Sequence, residues 1–294
     1  DEQLAFISGP PLREGEQDSF YQPGISAERA SLYEHCARAL DASLAVGEHG
    51  LPLMGTGDWN DGMNRVGEKG KGESVWLGWF LHEALARFLP FAESRKDAPR
   101  IARWLVHMDA LREALERDGW DGAWYRRAFF DDGFALGSAA NRECRIDSIA
   151  QAWSVLSKAG QPDRAARAME AVDKYLVRSE DRLLTLFAPP FVASQHDPGY
   201  LKGYPAGIRE NGGQYTHGVL WSIIAFAMLG NGDRAAELFA MLNPVNHART
   251  RSGADRYRVE PYVSCGDVYS MPPNTGRGGW TWYSGSAAWM YRTA

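Results

Sequence analysis

Two stretches of this chain repeat one another: Gly160-Gln161-Pro162-Asp163-Arg164-Ala165-Ala166 and Gly230-Asn231-Gly232-Asp233-Arg234-Ala235-Ala236. Each follows an apolar run and opens another. Each therefore reads as a helix ended at glycine, a tight turn, and a new helix with Asp163 or Asp233 at its N-cap. A chain that reuses such a unit builds helical hairpins, either stacked as a solenoid or closed into an α/α toroid with long loops gathered at one end. Apolar periodicity agrees, with Leu32, Cys36, Leu40 and Leu44 at helical spacing. Helices are expected over 27–46, 74–91, 99–116, 146–158, 163–177, 215–229, 233–242 and 284–291. Strand signals are short and scattered, so the predicted sheet content is low. Residues up to about 25 are punctuated by Pro and Gly and are expected to form an irregular lead-in.

The loops carry an unusual load of tryptophan. The chain has 11 Trp, 12 Tyr and 12 Phe in 294 residues. Many of these rings belong in a large aromatic core. Others sit in Gly-, Asp- and Asn-rich loops, as in Asp58-Trp59-Asn60-Asp61-Gly62 and Gly278-Gly279-Trp280-Thr281-Trp282. That pairing suits sugars, whose C–H faces stack on rings while their hydroxyls need polar partners. A formal net charge of −5, with no block of Lys or Arg, argues against nucleic acid as a partner. The longest apolar stretch, Val219 to Gly230, falls short of the ~20 residues that span a bilayer and reads as a buried helix. Cys36, Cys144 and Cys265 are far apart and cannot all pair, so free thiols in a reducing compartment are expected.

Four segments carry the candidate chemistry. Gly55 to Gly67 places Asp58 and Asp61 on one glycine-rich loop with Trp59 and Arg65. Such a loop sets one carboxylate ionised beside Arg65 or loop N–H groups and the other against the indole, where lost solvation makes it a general acid. An Asx-rich turn or a calcium loop uses the same residue types, although the spacing is not that of an EF-hand. Tyr204-Pro205-Ala206-Gly207-Ile208-Arg209-Glu210-Asn211-Gly212-Gly213-Gln214-Tyr215-Thr216-His217 leads into an apolar helix. His217 then lies in the helix's first turn, where N–H groups and the dipole favour an anion. Asn274 to Ala287 opens the last helix, and Ser284 with the Gly285 and Ser286 amides fits either an oxyanion cradle or an N-cap. Asn141 to Ser148 reads as Arg–Asp/Glu pairing that fixes loops. The chain has no GxSxG elbow, P-loop or HExxH motif.

The motifs at 57–64, 209–218 and 279–287 resemble those of the inverting glycoside phosphorylases of glycoside hydrolase family 94, the cellobiose and chitobiose phosphorylases among them. The segments at 72–80 and 144–153 are most similar to the C-terminal phosphorylase-like region of cyclic β-1,2-glucan synthases. The resemblance covers nearly the whole chain. It implies an all-α, (α/α)6 toroid, present here as a single N-terminally incomplete catalytic domain over 1–294. The family's β-sandwich and early toroid helices would lie upstream and its small β domain downstream. It implies Asp61 as general acid and His217, Ser284 and Gly285 as phosphate-binding residues, with Ser284 standing where the family has Thr. Trp59, Tyr204, Arg209, Glu210 and Gln214 are the implied sugar-binding residues, with no metal and no cofactor beyond inorganic phosphate as co-substrate.

An inverting hydrolase needs a second carboxylate to activate water. Phosphate is already an anionic nucleophile, which accounts for a single strong acid candidate. The implied reaction is phosphorolysis of a β-glucoside, with β-1,2-glucan the expected substrate, giving α-glucose 1-phosphate. A free-standing β-oligoglucan or cellobiose-type phosphorylase and a non-catalytic glucan-binding module are the alternatives. The implied partners are β-glucan or oligosaccharide and phosphate, with a homodimer allowed. The implied location is cytoplasmic, tethered through upstream membrane spans of a parent chain.

Overall fold

The computed structural model describes residues 2–13, 16 and 19–294; the remaining five, all within the expected lead-in, lie outside the described residues. That lead-in is not irregular throughout. β1 (Gln3–Ser8) and β2 (Gly24–Ser31) form an antiparallel ladder with Gln3 opposite Ser31 and a register shift between Ala5 and Ile7. Residues 27–31, expected as the start of a helix, are therefore strand. Helix α1 (Leu32–Ala42) begins only where the Ser31 side chain can cap it by accepting the Glu34 N–H. Local periodicity could not reveal this, because the strand is held by a partner more than twenty residues away.

The body of the chain alternates two layers. β3 (Glu73–Ser74) leads into α2 (Val75–Ser94), followed by α3 (Ala98–Ala114), whose end continues as a π turn over Leu115–Gly119. After β4 (Ala128–Phe129) and β5 (Ala135–Leu136), β6 (Ile146–Asp147) leads into α4 (Ser148–Leu156) and α5 (Pro162–Leu176). β7 (Val177–Arg178), β8 (Leu183–Leu184) and β9 (Phe187–Ala188) follow. Then β10 (Gln214–Tyr215) leads into α6 (Thr216–Met228) and α7 (Gly232–Leu242), with two short helices, α8 (Pro244–His247) and α9 (Arg251–Tyr257). β11 (Asp267–Val268) and β12 (Gly278–Gly279) precede α10 (Ser284–Thr293).

Helices α2, α4, α6 and α10 pack side by side in that order, and α3, α5 and α7 each pack outside the inner helix that precedes them. The expected hairpins are thus present, and the chain is mostly helical. Sequence shows why α6 is an inner element: Val219, Leu220, Trp221, Ile223, Ala225 and Phe226 are all buried, so it has apolar neighbours on every side. The outer α5 instead alternates buried Ala165, Ala168, Met169 and Val172 with solvent-facing charge. Each of α2, α4 and α6 is entered through a two-residue strand paired with a later or crossing segment. β3 pairs with β4, β6 with β9, and β10 with β11, which also pairs with β12. These ladders fix the N-terminal ends of the inner helices at one side of the molecule.

The two repeated turns differ from expectation in detail. Gly230 does end α6 with a left-handed φ of 81°, but α4 ends through Lys158, at φ 59°. The caps are Gln161 and Asn231, not the aspartates. Pro162, with φ fixed and no N–H to satisfy, takes the first helical position. Asp163 and Asp233 then fall in the first turn, where their charge still favours the dipole. All three cysteines are free thiols. Among the described residues no helix is long and apolar enough to cross a membrane.

Candidate active site

The loop between α1 and α2 is anchored by a charge pair that the sequence did not announce. Asp58 has no solvent-exposed side-chain surface and is gripped at both oxygens by Arg127, at 2.6 Å each, from the start of β4. Its Oδ2 also accepts the Ser74 hydroxyl at 2.6 Å, and Ser74 in turn caps α2 by accepting the Leu77 N–H. Arg127 is itself fully buried and lies 3.3 Å from Asp147, the N-cap of α4. Burial works against the Arg127 charge, but Asp58 and then Asp147 outweigh it and hold its pKa above the ordinary value. Burial pushes Asp147 the other way for a carboxyl, up to about 6, against the pull of Arg127. Of the two expected partners, a loop N–H is present, Asn60 donating to Asp58 Oδ1 at 3.0 Å, whereas Arg65 points outward to Asp197 at 2.7 Å. Arg–Asp pairing is thus the role of Asp147 in its segment, with a partner from outside it.

With Asp58 tied down, Asp61 is left at the surface, opening a short 3-10 turn over Asp61–Met63. It is exposed rather than desolvated against an indole. The Tyr200 hydroxyl donates to it, and burial together with that bond raises the Tyr200 phenol above its usual range. Asn64 Oδ1 accepts the Tyr200 N–H at 3.1 Å and so stitches the two loops together. Tyr200 was not anticipated from the sequence, where nothing distinguishes it from other loop tyrosines.

Trp59 faces inward instead. Its ring lies 5.3 Å from His217, 5.6 Å from Tyr215 and 5.1 Å from Trp221. Gly218 permits this approach: a β-carbon there would stand 2.9 Å from the Trp59 ring. His217 occupies the first turn of α6, as expected. Burial lowers its pKa to about 4, so it is neutral at pH 7 and carries a single N–H. Gly285 comes from the adjacent first turn of α10, where a β-carbon would lie 3.3 Å from His217 Nδ1. Ser284 is exposed at the first helical position of α10, with Tyr283 as N-cap, so its hydroxyl is free of capping duty. The Tyr283 and Tyr215 hydroxyls bond at 2.9 Å and tie α10 to α6. Behind Trp59 and His217 lies a cavity of about 770 Å³, lined by Trp76, Trp153, Trp221 and Trp289 from the four inner helices.

The third corner is the 204–214 loop. The Arg209 guanidinium sits 5.0 Å from the Tyr204 ring and 4.9 Å from the Trp280 ring, with Nε 3.4 Å from Glu210. Glu210 and Gln214 are buried. Gln214 Oε1 accepts the Leu184 N–H, while its Nε2 has no hydrogen-bond partner among the described residues and the Glu210 Oε2 has only the ion pair with Arg209. The structure brings Trp59, His217, Ser284 and Gly285 together, and Tyr204, Arg209 and Glu210 form a neighbouring group linked to Trp59 through Tyr215, while Gln214 on β10 turns to Leu184. Asp61 joins the second group through Tyr200, whose ring packs edge-on against Tyr204 at 6.4 Å. Among the described residues, no three His, Cys, Asp or Glu side chains gather as a metal site.

Residues 6–294 match the family model for the catalytic domain of the glycosyl hydrolase 94 superfamily. The chain belongs to that family. This family 94 chain is 56% identical over 292 residues to a cyclic beta-(1,2)-glucan synthase of Rhizobium meliloti (strain 1021), covering 99% of the chain and 10% of that protein. It is 34% identical over 274 residues to solabiose phosphorylase of Paenibacillus borealis, covering 92% of the chain and 35% of the relative. Against N,N'-diacetylchitobiose phosphorylase of Vibrio furnissii it is 34% identical over 268 residues, covering 89% and 32%. The family 94 chain therefore spans between a tenth and about a third of these relatives' lengths. Among solved structures, a GH78 family rhamnosidase of Bacillus sp. GL1 shares its fold, with a TM-score of 0.55 at 14% identity over 88% of this chain and 23% of that one.

Proposed function

We propose that this chain carries the catalytic site for inverting phosphorolysis of β-glucosides, with β-1,2-glucan as substrate and α-glucose 1-phosphate as product. It would act as the phosphorylase-like module of a cyclic β-1,2-glucan synthase. The observation that carries the reading is the meeting of His217, at the start of α6, with Gly285, at the start of α10, beside Trp59. Two helix N-termini and a neutral imidazole offer N–H donors to an oxyanion, and an indole next to them offers a stacking face to a sugar. In this reading Asp61 protonates the glycosidic oxygen while phosphate, held by His217, Ser284 and Gly285, attacks the opposite face of the ring. Trp59, Tyr204, Arg209, Glu210 and Gln214 bind the sugar. The relatives named as phosphorylases support the reaction class, and the 56% identity to a glucan synthase supports the β-1,2 linkage.

The row α2, α4, α6 and α10, with α3, α5 and α7 outside it, is read as an arc of the family's (α/α)6 toroid. The four tryptophans of the cavity would then face its axis. The 1–294 segment is read as one part of that catalytic domain, with inorganic phosphate as co-substrate and no metal.

The test is glucose 1-phosphate release by the natural full-length chain from β-1,2- and β-1,4-glucans, with and without phosphate. Phosphate-dependent release of the α-anomer from β-1,2-glucan is expected. Free glucose released without phosphate would mark a hydrolase and overturn the reading, and preference for the β-1,4 substrate would move it to a cellobiose-type phosphorylase.

His217→Ala should raise the KM for phosphate far more than that for glucan. Loss of a hydrogen bond to a charged group costs roughly 1.5–3 kcal/mol, or about 10–150-fold. Steady-state kinetics varying each substrate in turn provide the check; equal rises in both constants would remove His217 from the phosphate.

A further inference from the structure

We infer that Asp267 is the positioning residue that holds Arg209 in its sugar-facing posture. The inference rests on the reading of Arg209 as a sugar-binding group. Asp267 belongs to none of the three motifs, yet β11 lies between the strands that lead to two of them. Asp267 stands opposite Tyr215 on β10 and opposite Gly279 on β12. Its Oδ2 accepts the backbone N–H of Arg209 at 2.8 Å, and its side chain is 1% exposed, so water does not compete for that bond. Arg209 needs such an anchor: its φ is 51°, a left-handed conformation that a residue with a β-carbon adopts only when its surroundings impose it. Gly279 leaves room for the carboxylate, since a β-carbon there would stand 2.6 Å from Asp267 Oδ1. The backbone of Arg209 is thus fixed from β11, and its guanidinium is fixed between Tyr204 and Trp280.

The charged and titratable groups facing Asp267 are Arg209 and Glu210 from the 204–213 loop, Tyr215 across β10, Cys265 on its own segment and Tyr269 beside Gly279. Burial pushes the Asp267 carboxyl up to about 6, with the Arg209 N–H and charge pulling it down and Glu210 adding to the rise. Above that pH the carboxylate accepts a charge-assisted bond; below it the bond becomes a neutral and weaker one. The stability contribution has the opposite sign. A folded pKa above the unfolded 3.8 gives stability that is full below the unfolded value and lost as pH rises through about 6. Acid therefore loosens Arg209 without weakening the fold through this group, which separates positioning from a purely structural role.

The experiment measures phosphorolysis of β-glucan from pH 5 to 8 in the natural full-length chain, for the wild type, Asp267→Asn, Arg209→Ala and the double variant. Asp267→Asn should raise the KM for glucan about 10-fold at pH 7.5 with kcat little changed. The ratio of its kcat/KM to that of the wild type should rise as pH falls through about 6, because only the wild type has that anchor to lose. Asp147 and phosphate titrate in the same range but are common to both proteins and cancel in the ratio. If Asp267 acts through Arg209, the double variant loses no more than Arg209→Ala alone. A flat ratio with unchanged KM, or losses that multiply, overturns the inference. Should Asp267→Asn fail to give a cooperative melt, Arg209→Ala decides: the ratio of its kcat/KM to that of the wild type must rise as pH falls through about 6, and a flat ratio overturns the inference. Should the wild type release no glucose 1-phosphate, the phosphorolysis reading fails on its own. The same comparisons are then made on affinity for β-1,2-glucan, where an Asp267→Asn protein that binds like the wild type overturns the inference.

Discussion

Asp61→Asn is expected to lower glucose 1-phosphate release by ~10²–10⁴-fold while leaving the melting temperature and glucan affinity close to those of the wild type. A positioned general acid contributes a factor of that order, and an amide has no proton to give to the leaving oxygen. The fold should not notice, because Asp61 is exposed and its described partner is the hydroxyl of Tyr200. Asp58→Asn is the necessary companion. It strips a buried carboxylate from Arg127 and should act through stability, with lost activity tracking lost folded protein. Thermal melts and single-turnover rates on both variants make the distinction. An Asp61→Asn protein with normal rates beside a folded but inactive Asp58→Asn protein would show that the two carboxylates have been assigned the wrong way round.

The difference between those two aspartates marks how far the sequence could be read. Alternating apolar runs, and turns opened by Pro162 or closed by Gly230, are local signals, and they located the hairpins to within a few residues. The convergence of Trp59, His217 and Gly285 was legible only as motifs, because the residues come from one loop and two separate helix entrances whose meeting depends on how α6 packs on α10. Arg127 left little trace: it sits among Trp124, Tyr125, Phe129 and Phe130, and a charged residue inside such an aromatic run is the one hint that its guanidinium is buried and paired. Tyr200 and Asp267 gave no signal, since their roles come from partners more than fifty residues distant. The β1–β2 ladder was missed because its pairing also lies beyond the reach of local periodicity, with Gln3 to Ser8 supplying the pairing that keeps residues 27–31 out of α1.

Arg127→Met should have the largest effect on stability of any single change at the site, about 3–5 kcal/mol at pH 7. Removing one side of a buried ion pair leaves the other charge without a partner, and here two carboxylates, Asp58 and Asp147, would be stranded. The loss should carry a pH signature. In the wild type Asp147 has a folded pKa of about 6, above its unfolded 3.8, so its own contribution is present at low pH and lost as pH rises through 6. Without Arg127 the Asp147 carboxyl is pushed further in that direction, because the pull that opposes its desolvation is gone. The deficit of the variant should therefore be greatest at neutral pH and shrink toward pH 5, where Asp147 can take up a proton. Urea melts of the full-length protein at pH 5 and pH 7.5 measure this directly. A deficit that stayed constant across the two pH values would mean that Arg127 supports the loop by filling space, and the acid loop's attachment to α2 would then rest on the Ser74 hydroxyl rather than on the charge pair.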